Sequence, residues 1–185
     1  MVKVLIADKL SPAAVAIFKE RGVEVDFQPA LGKDKDKLAA IIGDYDGLAI
    51  RSATKVTPKI LENAKRLKVI GRAGIGVDNV DIPAATGKGV IVMNTPFGNS
   101  ITTAEHAIAM MFAVAREIPA ADASTQAGKW EKNRFMGVEL YAKTLGLIGA
   151  GNIGGIVADR ANGLKMKVVA YDPFLSAERA VEIGV

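Results

Sequence analysis

Thr144-Leu145-Gly146-Leu147-Ile148-Gly149-Ala150-Gly151-Asn152-Ile153-Gly154 is the stretch on which the reading of the fold turns. A short aliphatic run enters a Gly-x-Gly-x-x-Gly turn, and helix-compatible sequence follows through Leu164. A second aliphatic run, Lys167 to Tyr171, then ends at Asp172. Three glycines at this spacing carry little weight alone. Between a strand and a helix, with an acid about 20 residues further on at the tip of the next strand, they form the full dinucleotide-binding context. Each position has a physical reason. Gly149 permits the tight turn, Gly151 keeps a Cβ out of the path of a pyrophosphate, and Gly154 lets the helix approach the strand. The phosphates are expected on the helix N-terminus, where unpaired N–H groups and the positive end of the helix dipole favour an anion. Asp172 can accept from ribose hydroxyls while its charge repels a 2′-phosphate, so the expected cofactor is NAD rather than NADP. The competing reading, a plain tight turn with Asp172 capping the next helix, leaves the register of strand, turn, helix, strand and acid unexplained.

Working outward, the same rhythm of short aliphatic run and helical segment fills the rest of the chain. Further strands are expected at Val2 to Ala7, Val23 to Phe27, Gly47 to Ile50, Lys68 to Gly71 and Val90 to Met93, each short and aliphatic as strands buried on both faces are. Ser11-Pro12 and Thr57-Pro58 each combine a capping residue with a first-turn proline. Ser100 to Ala127 reads as one long helix, bent near Pro119. The turn-rich Asn94-Thr95-Pro96-Phe97-Gly98-Asn99 ahead of it suits a hinge. The expected fold is therefore α/β: a flavodoxin-like parallel-sheet lobe over residues 1–97, then the first half of a Rossmann nucleotide-binding lobe over residues 98–185. The polar stretch around Trp130, the only tryptophan, reads as a protruding loop that packs on another subunit, with an ordinary surface loop as the rival reading.

Composition narrows the classes. Half of the 185 residues are hydrophobic and few are aromatic, as in a soluble globular protein with an aliphatic core. The 24 basic residues are spread among 20 acidic ones without a long basic block, which argues against a nucleic-acid partner. The alternating Lys33-Asp34-Lys35-Asp36-Lys37 run reads as a solvated turn entering a helix. With no cysteine there is neither a disulfide framework nor a thiolate zinc site, and no metal is expected. No signal-like N-terminus or bilayer-spanning run is seen, so a cytoplasmic protein without a membrane partner is the expectation.

Two arginines stand at expected strand ends in the first lobe, Arg51 after Leu48-Ala49-Ile50 and Arg72 after Val69-Ile70-Gly71. Ligands of open parallel sheets bind at the carboxyl ends of strands. Guanidinium groups there, with Ser52 and the backbone N–H groups near Gly74 and Ile75, make a receptor for a carboxylate or phosphate. Gly71-Arg72-Ala73-Gly74-Ile75-Gly76 is itself glycine-rich after a strand. It is not a second fingerprint, because Asn79 occupies the position three after Gly76.

Through Ile50-Arg51-Ser52, the run from Gly71 to Asp81, Met93-Asn94-Thr95-Pro96, Gly128-Lys129-Trp130-Glu131, Phe135-Met136-Gly137 and Glu139-Leu140, the chain closely resembles the D-isomer specific 2-hydroxyacid dehydrogenases, in particular those that act on D-3-phosphoglycerate. The resemblance implies oxidation of that acid to 3-phosphohydroxypyruvate with NAD, in serine biosynthesis. It places Arg51, Ser52, Arg72 and Gly74 at the substrate pocket and Ile75 near the nicotinamide. Asn152 and Ile153 join Gly149, Gly151 and Gly154 in the pyrophosphate loop, and Asp172 meets the ribose. It further implies a homodimer or homotetramer formed through the nucleotide-binding lobe.

The family's catalytic Arg, Glu and His belong to the second half of the nucleotide lobe, so the resemblance implies that this chain is an N-terminal fragment of a longer enzyme, inactive alone. His106, the only histidine, sits within the long expected helix and reads as structural rather than catalytic. Two alternatives stay open: another D-2-hydroxyacid dehydrogenase such as a glyoxylate or hydroxypyruvate reductase, and a non-catalytic NAD-responsive binding protein of the same fold. The paired arginines favour a phosphorylated substrate, and the Trp130 stretch favours a dehydrogenase.

Overall fold

In a computed structural model that describes all residues from Met1 to Val185, the chain forms two compact units, Met1–Gly98 and Asn99–Val185. In the first unit, strands β1 (Lys3–Ile6), β2 (Glu24–Phe27), β3 (Gly47–Ile50), β4 (Val69–Arg72) and β5 (Ile91–Asn94) alternate with helices α1 (Pro12–Glu20), α2 (Lys35–Ile41), α3 (Pro58–Asn63) and α4 (Ile82–Gly87). All strand pairings are parallel, and the order is β2-β1-β3-β4-β5. This is the flavodoxin-like order, in which the chain reverses its direction of travel between β1 and β3.

The period of two along each strand divides the core. Leu5, Leu48, Ile50 and Ile70 are buried with Leu38 and Ile42, and with Ile60 and Leu61 of α3. Val4, Ile6 and Ala49 face the other way, against Val15 and Phe18 of α1 and against Val23 and Val25. The central strand β3 is buried at every position, as its uninterrupted aliphatic sequence requires. The edge strands are not: Ile91 and Met93 of β5 face solvent while Val92 meets the core.

Local capping follows the sequence in most places. The Ser11 hydroxyl accepts from the Ala13 amide and caps α1, and Asp34 caps α2 through the Lys37 amide, which accounts for the alternating-charge run. Thr57 precedes α3 but its side chain makes no capping bond; only its carbonyl accepts, from Ile60 and Leu61. Gly32 donates its amide to the Ala7 carbonyl and lies where a Cβ would stand 1.8 Å from Thr54 Oγ1 and 2.9 Å from the Ala7 oxygen. Gly32→Ala is therefore expected to destabilise this unit by about 1–3 kcal/mol through overpacking. Urea unfolding checks this, and an unchanged midpoint would show that Thr54 yields freely.

The second unit contains α5 (Ser100–Ala115), α6 (Ile118–Gln126), β6 (Thr144–Ile148), α7 (Asn152–Gly163), β7 (Lys167–Tyr171) and α8 (Ala177–Ile183). The single helix expected from Ser100 to Ala127 is two, and the break precedes Pro119. Arg116 ends α5, Glu117 adopts a left-handed conformation (φ 52°), and Pro119 sits in the first turn of α6. Proline has no N–H for the carbonyl of residue 115, four positions back. That carbonyl instead accepts from the Val138 amide at 2.8 Å. Gly137 makes this crossing feasible, since it has φ 58° and a Cβ there would lie 2.5 Å from the Ala115 oxygen.

Strands β6 and β7 pair in parallel as a two-stranded sheet. Leu145, Leu147 and Val168 pack with Ala158 and Ala161 of α7 and with Met111 of α5. The opposite face, Ile148, Val169 and Tyr171, is exposed, so these strands bury one face only, contrary to the expectation of burial on both. Trp130 lies in the loop after α6 and is 86% exposed. No helix is long and apolar enough to cross a membrane.

Candidate functional site

Two clusters carry chemistry, one in each unit. In the second, β6 delivers the chain into Gly149, whose φ of 97° is left-handed and whose amide donates to the Tyr171 carbonyl at 2.8 Å. Gly151 occupies the N-cap of α7. The first-turn amides of a helix have no intrahelical acceptor, so those of Asn152, Ile153 and Gly154 remain for a ligand. Nothing lies within 4 Å of where a Gly151 Cβ would be, which leaves open space directly over these donors. At Gly154, by contrast, a Cβ would fall 2.3 Å from the Gly149 carbonyl oxygen. One glycine keeps the cradle clear and the other lets the helix sit against the turn.

Asp172 follows β7 and closes this loop. Its Oδ2 accepts from the Ala150 amide at 2.8 Å, and its Oδ1 accepts from the Phe174 amide at 2.8 Å. The Ala150 bond, and then the Phe174 bond, hold its carboxyl below the usual aspartate range. Asp172 does not cap the helix that follows, because the Ser176 hydroxyl does so through the Arg179 amide. The residues present suit a dinucleotide: free amides at a helix start, an unobstructed approach at Gly151 and an anionic acceptor at the second strand end.

In the first unit, Ile50 pairs with Arg72 across β3 and β4, so Arg51 and Arg72 stand at adjacent strand ends. Neither arginine is in an ion pair. Arg51 is exposed and its Nη1 reaches the Lys9 carbonyl at 3.4 Å. The Arg72 guanidinium folds over the glycine loop, where Nη1 donates to the Gly76 carbonyl and Nε is buried without a partner. Gly74, at φ 155°, makes room for it, since a Cβ there would lie 3.0 Å from Arg72 Nη1. The loop is pinned from the β5 side, with the Asn94 side chain donating to the Ile75 carbonyl at 2.7 Å and the Thr95 amide to Gly74 at 3.0 Å. Two cations without counter-charges and an exposed Ser52 thus sit beside each other at the carboxyl edge of the sheet.

Two residues of this edge carried no functional signal in the sequence. Asp8, two residues after the end of β1, is buried, and Asn79, which breaks the glycine spacing within the run from Gly71 to Asp81, is buried too. His106 is exposed on α5.

The sequence pattern of the D-isomer specific 2-hydroxyacid dehydrogenase catalytic domain matches residues 4–183. The chain belongs to this family. Among its relatives is the D-3-phosphoglycerate dehydrogenase of Archaeoglobus fulgidus, 50% identical over 183 residues, which are 99% of this chain and 34% of that protein. The chain thus spans about a third of the length of the curated relatives it matches. Among solved structures, a Thermus thermophilus protein superposes with a TM-score of 0.87 at 32% identity, covering 95% of this chain and 58% of that one. The NAD+-bound 3-phosphoglycerate dehydrogenase of Entamoeba histolytica does so with a TM-score of 0.78 at 33% identity, covering 96% and 56%.

Proposed function

We propose that these residues form the substrate-binding domain (1–97) and the leading part of the NAD-binding domain (98–185) of an enzyme that oxidises D-3-phosphoglycerate to 3-phosphohydroxypyruvate. The observation that carries this reading is the Gly149–Gly154 turn, with its free amides and open approach, closed by the Asp172 carboxylate. The 50% identity to a D-3-phosphoglycerate dehydrogenase supports the choice of substrate. NAD, held by the Gly149–Gly154 turn and Asp172, would supply the hydride acceptor for oxidation at C2 of the substrate.

The chain's own residues bind and orient. Arg51, Ser52, Arg72 and the loop at Gly74 receive the substrate's anionic groups, and Ile75 borders the nicotinamide. Gly149, Gly151, Asn152, Ile153 and Gly154 hold the pyrophosphate, and Asp172 the ribose. In this reading the residue that takes the hydroxyl proton lies outside residues 1–185, and the 185-residue polypeptide by itself is inactive. Exposed Met110, Val114, Trp130 and Met136 on the second unit support self-association through that unit, and the reading places the enzyme in the cytoplasm on the route to serine.

The test is NADH absorbance with D-3-phosphoglycerate and NAD, run on the protein carrying these residues at the length of its relatives and on the 185-residue polypeptide. Turnover by the longer protein alone is the expected result. Faster reduction of glyoxylate or hydroxypyruvate would reassign the substrate, and no turnover with any 2-hydroxy acid would leave a binding protein. Comparable turnover by the short polypeptide would mean that a residue such as His106 moves the proton.

A further inference from the structure

Arg51 and Thr54 bracket the exposed pair Ser52-Ala53, and every backbone polar group of the two bracketing residues is taken. The Asp8 Oδ2 accepts from the Arg51 amide at 2.6 Å and from the Thr54 amide at 3.2 Å. From the other side, Asn79 Nδ2 donates to the Arg51 carbonyl at 2.7 Å and to the Thr54 carbonyl at 2.7 Å. One carboxylate thus holds both N–H groups and one amide holds both C=O groups. Between them the amides of Ser52 and Ala53 have no partner within the chain.

We propose that Asp8 and Asn79 are positioning residues that hold the Arg51–Thr54 turn as an oxyanion receptor, in which the Ser52 and Ala53 amides donate beside the Arg51 guanidinium. The inference rests on the reading of this edge as the substrate side, and it adds the parts that make it rigid. Location supports it first. Asp8 follows β1 and Arg51 follows β3, the two strands between which the chain reverses direction, and the crevice at such a switch point is where open α/β sheets bind ligands.

Energetics support it second. Asn79 Oδ1 and Thr54 Oγ1 are buried without partners, each at a cost to folding that apolar residues of similar shape would avoid. A buried amide kept on those terms gains its use from the two carbonyls it holds. Clamping the turn before binding removes the ordering cost that a mobile loop imposes on affinity. The Asp8 carboxylate is buried, and its Oδ2 is engaged by the Arg51 and Thr54 amides rather than open to a ligand.

The test is nuclear magnetic resonance of the ¹⁵N-labelled chain titrated separately with inorganic phosphate, acetate and D-3-phosphoglycerate. The largest shifts are expected at the Ser52 and Ala53 amides. Phosphate alone among the simple anions moving them would assign the phosphoryl group to this turn, acetate alone would assign the carboxylate, and either or both support the receptor. Asn79→Ala is expected to weaken D-3-phosphoglycerate binding about tenfold or more while the amide dispersion of the β1–β5 sheet persists. Asn79→Ser, which keeps one donor, should fall between it and the wild type, and it decides the matter should Asn79→Ala fail to fold. Wild-type affinity in both variants overturns the positioning role, as does the absence of shifts at Ser52 and Ala53 with all three anions. Turnover by the longer protein without these shifts would overturn this inference and leave the enzyme reading intact, and shifts without turnover would do the reverse.

Discussion

Gly154→Ala is expected to lower NAD affinity by more than about a hundredfold while the five-stranded unit stays folded. The added Cβ would sit 2.3 Å from the Gly149 carbonyl oxygen and 3.1 Å from its carbon. Both are backbone atoms of a turn fixed at its other side by the bond from the Gly149 amide to Tyr171, so neither can swing aside as a side-chain tip would. To regain ordinary contact, the start of α7 must move away by roughly 1 Å. That displacement takes the free amides of Asn152 and Ile153 out of hydrogen-bonding range of a common phosphate. Bonds to a charged group are worth about 1.5–3 kcal/mol each, and every 1.4 kcal/mol is about tenfold in affinity. The neighbouring Gly155 supplies the control, because a Cβ there meets only Ile183 Cγ2 at 3.6 Å. Gly155→Ala should leave NAD binding unchanged and stabilise α7 by about 0.5–1 kcal/mol. NADH fluorescence titration checks both, and equal affinities in the two variants would remove the turn from the cofactor site.

Asp172→Ala is expected to weaken NAD binding about 10- to 100-fold and to narrow the preference for NAD over NADP. The carboxylate accepts from the Ala150 and Phe174 amides, and on the proposed reading it presents a charge that a 2′-phosphate must face. Removing it loosens the turn and lifts that repulsion, so NADP loses less than NAD. Asp172→Asn, which keeps an oxygen acceptor without the charge, should retain more NAD affinity than the alanine while still admitting NADP. The pH dependence has a definite sign. The folded carboxyl titrates below its usual range because of the bond from Ala150 first and that from Phe174 second. The stability these bonds lend is therefore present above the ordinary aspartate range and lost as pH falls through the lowered value. After the narrowing set by protonation of the 2′-phosphate at about pH 6, the part of the NAD preference due to Asp172 should persist as pH is lowered through the usual aspartate range and fail only beneath it. Competition titrations with the two cofactors at stepped pH measure it, and a preference lost already at the usual aspartate value would place the discrimination elsewhere.

The features legible in the amino-acid sequence are those whose causes are local. Gly47 to Ile50 reads as a strand buried on both faces because four consecutive small or aliphatic residues allow no solvent-facing side. Gly149, Gly151 and Gly154 announce the turn because their spacing reflects the backbone geometry of a single strand-to-helix junction. Ser11 caps α1 with a bond reaching two residues. Other features depend on partners far along the chain. Pro119 marks a bend locally, but that the helix stops outright at Arg116 depends on Val138, whose amide satisfies the Ala115 carbonyl. The exposure of Ile148 and Tyr171 is decided by which face of a two-stranded sheet α7 covers, and alternation along a strand identifies two faces without saying which is packed.

The residues themselves thus determined the α/β class, the glycine turn from strand to helix with the acid Asp172 after the next strand, and the two arginines at strand ends, since each is a matter of short-range geometry and side-chain chemistry. Tertiary structure realised the expected flavodoxin-like order, which sets the carboxyl ends of β1 and β3 side by side. It also decided that Asp8 reaches the Thr54 amide across 46 residues and that Asn79 reaches the Arg51 carbonyl across 28. A buried aspartate after one strand and an asparagine in a glycine-rich loop are ordinary in sequence. They become a clamp only when the sheet brings their hydrogen-bonding groups to opposite sides of the same turn.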